Sequence, residues 1–144
     1  MIRLVFLCTG ISARRQMAEA ILNHKGRGRF RAESAGSQPA AWVNPLAIET
    51  LKEHGIPWDG HSPRSVDGLE RESWDFVITV CDRAKESCPV FPGQPILAHW
   101  GQPDPTDRRA CRDAFRRIDL LLALPIERLE RAALAARVRA IPIA

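Results

Sequence analysis

The chain of 144 residues is 45% hydrophobic and 26% charged, with a formal net charge of +4. That length suits a single domain, residues 1–144, able to bury a core without disulfides or a structural metal. The composition excludes disordered and fibrous classes. Four cysteines without a dense, regular spacing argue against a disulfide-stapled secreted scaffold and for a reducing compartment.

Ile2 to Leu7 is a nearly continuous apolar run, the pattern of a strand covered on both faces of a parallel sheet. Met17, Ala18, Ile21 and Leu22 then recur at helical spacing, and Gly26 stands where a left-handed cap would end that helix. A short strand is predicted from Phe30 to Ala35. Asn44-Pro45 supplies an N-cap and a first-turn proline for a second helix, which runs to about His54 and stops at Gly55. After a loop holding Pro57, Pro63 and Gly68, Asp75 to Val80 gives the clearest buried strand. Pro89, Pro92, Gly93 and Pro95 mark irregular chain, Ile96 to Trp100 gives a last strand, and Gly101 to Asp107 a loop. Ala114, Phe115, Ile118, Leu121 and Leu122 predict a helix to Leu124. Pro125 interrupts it, and the pattern resumes from Ile126 to about Ile141 through Leu129, Ala132, Leu134 and Val138.

Strands alternating with helices predict an α/β fold: a parallel sheet with helices on both faces and ligands beyond the carboxyl ends of its strands. Cys8, Cys81 and the loop carrying Asp104 all fall at that edge. No membrane span or export signal is read, and a cytoplasmic location is expected.

The stretch Cys8-Thr9-Gly10-Ile11-Ser12-Ala13-Arg14-Arg15 joins the first strand to the first helix. A turn in that position can curl its backbone N–H groups around a tetrahedral anion, and the helix N-terminus adds positive potential. The same field lowers a thiol pKa, making Cys8 a candidate nucleophile and Arg14 a fork for two anion oxygens. Arg14 and Arg15 at the positive end of a helix oppose its dipole, an unfavourable placement that a bound anion offsets. A buried small cysteine and a solvated arginine are the plain alternative.

Cys81 and Cys88 lack zinc-ligand spacing, and no metal site is expected. They are either inert packed thiols or partners of Cys8 in a disulfide relay. Asp104, between Pro103 and Pro105, is a candidate general acid aimed at a leaving oxygen, with Asp107 left to cap the next helix. Arg108, Arg109, Arg112, Arg116 and Arg117, interleaved with Asp107, Asp113 and Asp119, are read as a solvated, salt-bridged face. Nucleic acid is not expected, because no aromatic stacking pattern accompanies the charge. His24, His54, His61 and His99 form no spaced pair, which favours neither a Cys/His protease nor a metal hydrolase.

Several stretches together carry a family resemblance: Leu4-Val5-Phe6-Leu7-Cys8-Thr9-Gly10, Gln16-Met17-Ala18-Glu19-Ala20, Ser34-Ala35-Gly36, Val80-Cys81-Asp82 with Cys88-Pro89, His99-Trp100-Gly101 and Asp104-Pro105. The chain resembles the low-molecular-weight phosphotyrosine phosphatase superfamily and, within it, the thioredoxin-coupled arsenate reductases. The resemblance implies a three-layer domain with a four-stranded parallel sheet flanked by helices, and an anion loop from Thr9 to Arg15. It also implies that Cys8 attacks arsenate held by Arg14 and the loop amides while Asp104 protonates the departing oxygen. Cys81 would then attack Cys8, releasing arsenite, and Cys88 would attack Cys81, leaving a disulfide for thioredoxin. No bound cofactor is implied.

This chain departs from the family pattern at Ile11, where the family has asparagine, and at Arg15, where it has serine. Isoleucine tolerates positive φ poorly and offers no side-chain hydrogen bond, so a rebuilt loop is expected. Without the serine hydroxyl, Cys8 is expected to titrate higher unless the Arg15 charge compensates. Phosphatase relatives need Cys8, Arg14 and Asp104 but not the two later thiols, and generally carry tyrosines after the Asp-Pro pair; this chain has no tyrosine. Arsenate reduction is therefore the leading expectation. A phosphatase acting through a cysteinyl-phosphate and a non-catalytic oxyanion-binding member are the alternatives.

Overall fold

The computed structural model describes residues 1–7, 13–36, 45–56, 64–80, 88, 90–101 and 108–143, and for 13–16, 45–47, 64, 108–111 and 143 the backbone alone. The strands are β1 (Ile2–Leu7), β2 (Phe30–Gly36), β3 (Arg64–Ser65), β4 (Phe76–Thr79) and β5 (Ile96–His99). They form one sheet in the order β3-β2-β1-β4-β5, every pair parallel. The helices are α1 (Ala13–Lys25), α2 (Pro45–Glu53), α3 (Arg108–Ala123) and α4 (Arg131–Ala140). The expected four-stranded parallel sheet with flanking helices is thus present, and the two-residue β3 extends it beside β2.

Alternation along the strands divides the core. Leu4, Phe6, Phe76, Ile78 and Ile96 pack with Met17, Ile21 and Leu22 of α1 and with Ile118 and Leu121 of α3. Val5, Leu7, Ala35 and Val77 face the other way, onto Leu69, Trp74 and Phe91. Because both faces of β1 and β4 are covered, their sequences read as nearly unbroken apolar runs, Leu4 to Leu7 and Phe76 to Ile78. Each large side chain removed from water in this way contributes roughly 1.5–3 kcal/mol.

Polar staples complete the fit of α1 to the sheet. Among the described residues β3 pairs with Ala35 and Gly36 and does not reach Ala32 on the outer edge of β2. There the Asn23 side chain takes the place of a strand, donating to the Ala32 carbonyl at 2.9 Å and accepting from its N–H at 2.7 Å. At the amino ends of the strands, the Arg3 guanidinium bridges Glu33 and Glu72, each at 3.0 Å, and lies 4.2 Å from the Trp74 ring centre.

Two local expectations change. The helix predicted from Ile126 instead begins at Arg131, after a single 3-10 turn at Ile126–Arg128 and two extended residues, Leu129 and Glu130. The apolar spacing misled because Leu129 packs against the core from extended backbone, while α4 buries Leu134, Ala135 and Val138 and leaves Ala132 exposed. The left-handed glycine after α1 is Gly28, at φ 86°, not Gly26.

Gly26 is required for space instead. A Cβ there would lie 2.8 Å from the Leu22 carbonyl oxygen and 3.1 Å from Leu122 Cδ2. Gly26→Ala should therefore lower stability by about 1–3 kcal/mol, because overpacking outweighs the few tenths gained from a stiffer unfolded chain. Urea titration should show a lower midpoint with an unchanged slope, and an unchanged or raised midpoint would contradict the steric reading.

Candidate functional site

The ladder fixes where the strands deliver their next residues. Leu7 pairs with Ala35 on one side and Thr79 on the other, and Thr79 pairs with His99. Beyond these pairs the Val80 N–H donates to the Leu7 carbonyl at 2.9 Å, and the Trp100 N–H to the Thr79 carbonyl at 2.7 Å. Cys8 directly follows Leu7, Cys81 directly follows Val80, and Gly101 follows Trp100. Parallel strands lie about 4.8 Å apart, so the chain leaves the sheet toward Cys8, Cys81 and the Asp104 loop along one short stretch of carboxyl edge.

Of the sequence-predicted site residues, Cys8, Thr9, Gly10, Ile11, Ser12, Cys81 and Asp104 lie outside the described residues. Ala13, Arg14 and Arg15 open α1, whose first turn carries no acidic residue. The first carboxylate on that helix is Glu19, which is 5% exposed and accepts a hydrogen bond from the buried Ser34 hydroxyl at 2.5 Å. This contact ties α1 to the carboxyl half of β2, setting the height of the helix N-terminus over the sheet. An unpaired carboxylate this deep would be costly; hydrogen bonding compensates.

Cys88 is half-buried and packs on the Val77 face of the sheet. It lines a cavity of about 380 Å³ together with Thr79, Leu97, His99 and Arg139. Burial pushes its thiol above the ordinary cysteine value. His99, which sequence spacing had left without a role, is held through Nδ1 by Thr79 Oγ1 at 2.8 Å. The signal was present in the period of the strands, since Thr79 and His99 occupy paired positions on one face.

Arg117 corrects the solvated-face reading of the basic helix. It is 8% exposed and donates through Nη1 to the carbonyls of Trp100 at 3.0 Å and Gly101 at 3.2 Å. Burial pulls its guanidinium below the ordinary arginine value, with Asp113 acting against that. Arg117 follows Ala114 by one helical turn and precedes Leu121 by another, so it lies on the buried stripe. Arg112 and Arg116 keep the expected exposed placement, with Arg116 near Asp113 at 3.9 Å.

A parallel sheet whose first strand ends at Leu7, with a helix beginning at Ala13, defines an α/β protein with its ligand edge at the carboxyl ends. The chain belongs to the low molecular weight phosphotyrosine protein phosphatase family, whose model matches residues 3–139. It is 37% identical over 103 residues to arsenate reductase 2 of Staphylococcus epidermidis, covering 72% of this chain and 78% of that protein. The thioredoxin-dependent arsenate reductase of Corynebacterium glutamicum superposes with a TM-score of 0.72 at 27% identity, over 85% of this chain. This chain spans 60% of that longer one. An arsenate reductase solved in its phosphate-binding state gives a TM-score of 0.67 at 27% identity, covering 85% of this chain and 98% of that one.

The buried thiol yields a direct expectation. Cys88 titrates higher folded than unfolded, so the neutral thiol supports the fold at low pH and that support is lost as pH rises through the folded value. Near pH 8.5, about the ordinary cysteine value, iodoacetamide should modify Cys88 several-fold more slowly in the folded protein than in urea. Peptide mass spectrometry reads the rate, and equal rates would rule out the burial effect.

Proposed function

We propose that the chain reduces arsenate to arsenite through Cys8, Cys81 and Cys88, with thioredoxin as the external reductant and no bound cofactor. In the first step the Cys8 thiolate bonds to arsenic while Arg14 and the amides from Thr9 to Arg15 hold the oxyanion. Asp104 gives its proton to the departing oxygen, which leaves as water. The Cys81 thiolate then attacks the Cys8 sulfur; a disulfide forms, and the electron pair of the broken sulfur–arsenic bond takes arsenic from the pentavalent to the trivalent state. Cys88 attacks the Cys81 sulfur and frees Cys8 as a thiolate. The resulting Cys81–Cys88 disulfide is reduced by the dithiol of thioredoxin.

The observation that supports this reading most strongly is the hydrogen bond from Val80 to Leu7, which joins the two backbones one residue before Cys8 and Cys81. Cys88 adds to it, because it sits on the sheet face shared by Val77, in the cavity that reaches Thr79 and His99 at the carboxyl edge. A hydrolase using Cys8, Arg14 and Asp104 alone would have no use for thiols at 81 and 88. The similarity to proteins named arsenate reductases points the same way.

Mixing the protein with arsenate, thioredoxin, thioredoxin reductase and NADPH should consume NADPH only when arsenate is present. Cys8→Ser should abolish consumption, and Cys88→Ser should leave at most a single turnover. Wild-type consumption no greater than that of Cys8→Ser would end the proposal. Turnover of p-nitrophenyl phosphate that survives Cys88→Ala, without arsenate-dependent oxidation, would move the chain to the phosphatase reading.

A further inference from the structure

We propose that Arg117 is a positioning residue that fixes the root of the Asp104 segment by holding the carbonyls of Trp100 and Gly101, the two residues that follow β5. The inference rests on Asp104 acting as the acid in the reaction above. Trp100 and Gly101 are the final described residues before 102–107, and the chain re-enters described structure at Arg108, the first residue of α3. Arg117 belongs to that same helix. One side chain therefore ties the helix that ends the loop to the strand that begins it.

Three observations give the clamp its shape. β5 is the outermost strand, and the Trp100 N–H is used on Thr79, but the Trp100 carbonyl lies beyond the last paired residue, His99. Arg117 Nη1 supplies its donor and reaches the Gly101 carbonyl as well. From the other side, Gly101 closes over the His99 ring so tightly that a Cβ would fall 2.7 Å from Nε2. That ring is in turn held by Thr79. The Trp100 indole N–H donates to the Val138 carbonyl at 2.9 Å, so the residue before the glycine is anchored too.

A fourth observation is a cost. Arg117 Nε is buried with no hydrogen-bond partner. An apolar residue of similar volume on this stripe would fill the space without burying a charge or stranding a donor. What such a residue could not do is bind two consecutive carbonyls at the mouth of a loop. Placement of a proton donor is sensitive at the scale of about 1 Å, a displacement that can cost on the order of a hundredfold in rate. Holding the Trp100 and Gly101 carbonyls fixes the point from which the segment 102–107 starts.

Arg117→Met removes the donors at similar volume, and Arg117→Lys keeps a charge able to reach one carbonyl. The first readout is hydrogen–deuterium exchange of the peptide spanning 100–108. It should quicken about tenfold in Arg117→Met and less in Arg117→Lys, with β1 and β4 peptides unchanged; if Arg117→Met does not fold, Arg117→Lys carries the comparison. The second is arsenate turnover, where kcat should fall about tenfold with KM little changed. The alkaline fall in rate that reports a protonated acid should flatten, and Arg117→Lys should restore part of it. Unchanged exchange overturns the clamp whether or not arsenate turns over. Faster exchange with unchanged kcat and pH profile overturns its link to the acid. Faster exchange in a protein whose wild type never consumes arsenate supports the clamp and removes the reductase reading instead.

Discussion

The arrangement depends on three parallel strands ending in register. Parallel pairing by itself tolerates slippage, because its hydrogen bonds are evenly spaced and nearly equivalent from residue to residue. What forbids it here is that Phe76 and Ile78 belong to one core and Val77 to the other. A one-residue slip of β4 would drive the Thr79 hydroxyl into the packing around Phe6 and turn Ile78 toward the Trp74 face, at the cost of both cores. The edge on which the chemistry is proposed is thus aligned by apolar side chains that never touch it.

Helix α1 needs a separate constraint, because a helix packed on a sheet by Met17, Ile21 and Leu22 alone can slide along its axis at little cost. The Glu19–Ser34 and Asn23–Ala32 contacts are directional and sit one turn apart, so together they set its axial position. Both reach β2 rather than β1. The strand that leads into the anion loop is held by its neighbours, and the helix that leaves the loop is held by the next strand over. The loop therefore spans two independently fixed ends.

Much of this was legible in the sequence, and for identifiable reasons. β1 and β4 announce themselves because burial on both faces keeps Leu4 to Leu7 and Phe76 to Ile78 apolar at every position. β3 could not be read, since two residues form no period, and its existence follows from its pairing with Ala35 and Gly36. The start of α4 was misplaced because Leu129 is half-buried in extended backbone, and hydrophobic spacing records burial rather than conformation. Arg117 was hidden by its company: among several arginines on one helix, the one turned inward differs only in sharing a stripe with Ala114 and Leu121. The chemistry at Cys8, Cys81, Cys88 and Asp104 was read from strand ends and family resemblance, and of these four the structure describes Cys88.

The electrostatics of α1 sharpen the meaning of the two loop departures. An ordinary helix start is balanced by an acidic first turn, but here that turn holds Arg14 and Arg15, and the first carboxylate along the helix, Glu19, is buried and engaged with Ser34. Two arginines therefore open the helix at the positive end of its dipole, a placement unfavourable by some tenths of a kcal/mol each. Replacing a serine by Arg15 removes a neutral donor and strengthens this positive field. In the proposed reaction a more positive field would favour a thiolate at Cys8 and a more highly charged oxyanion. On the proposed function, Ile11 would act through the shape of the anion site and Arg15 through its charge, so the two changes would oppose each other in affinity for the anion.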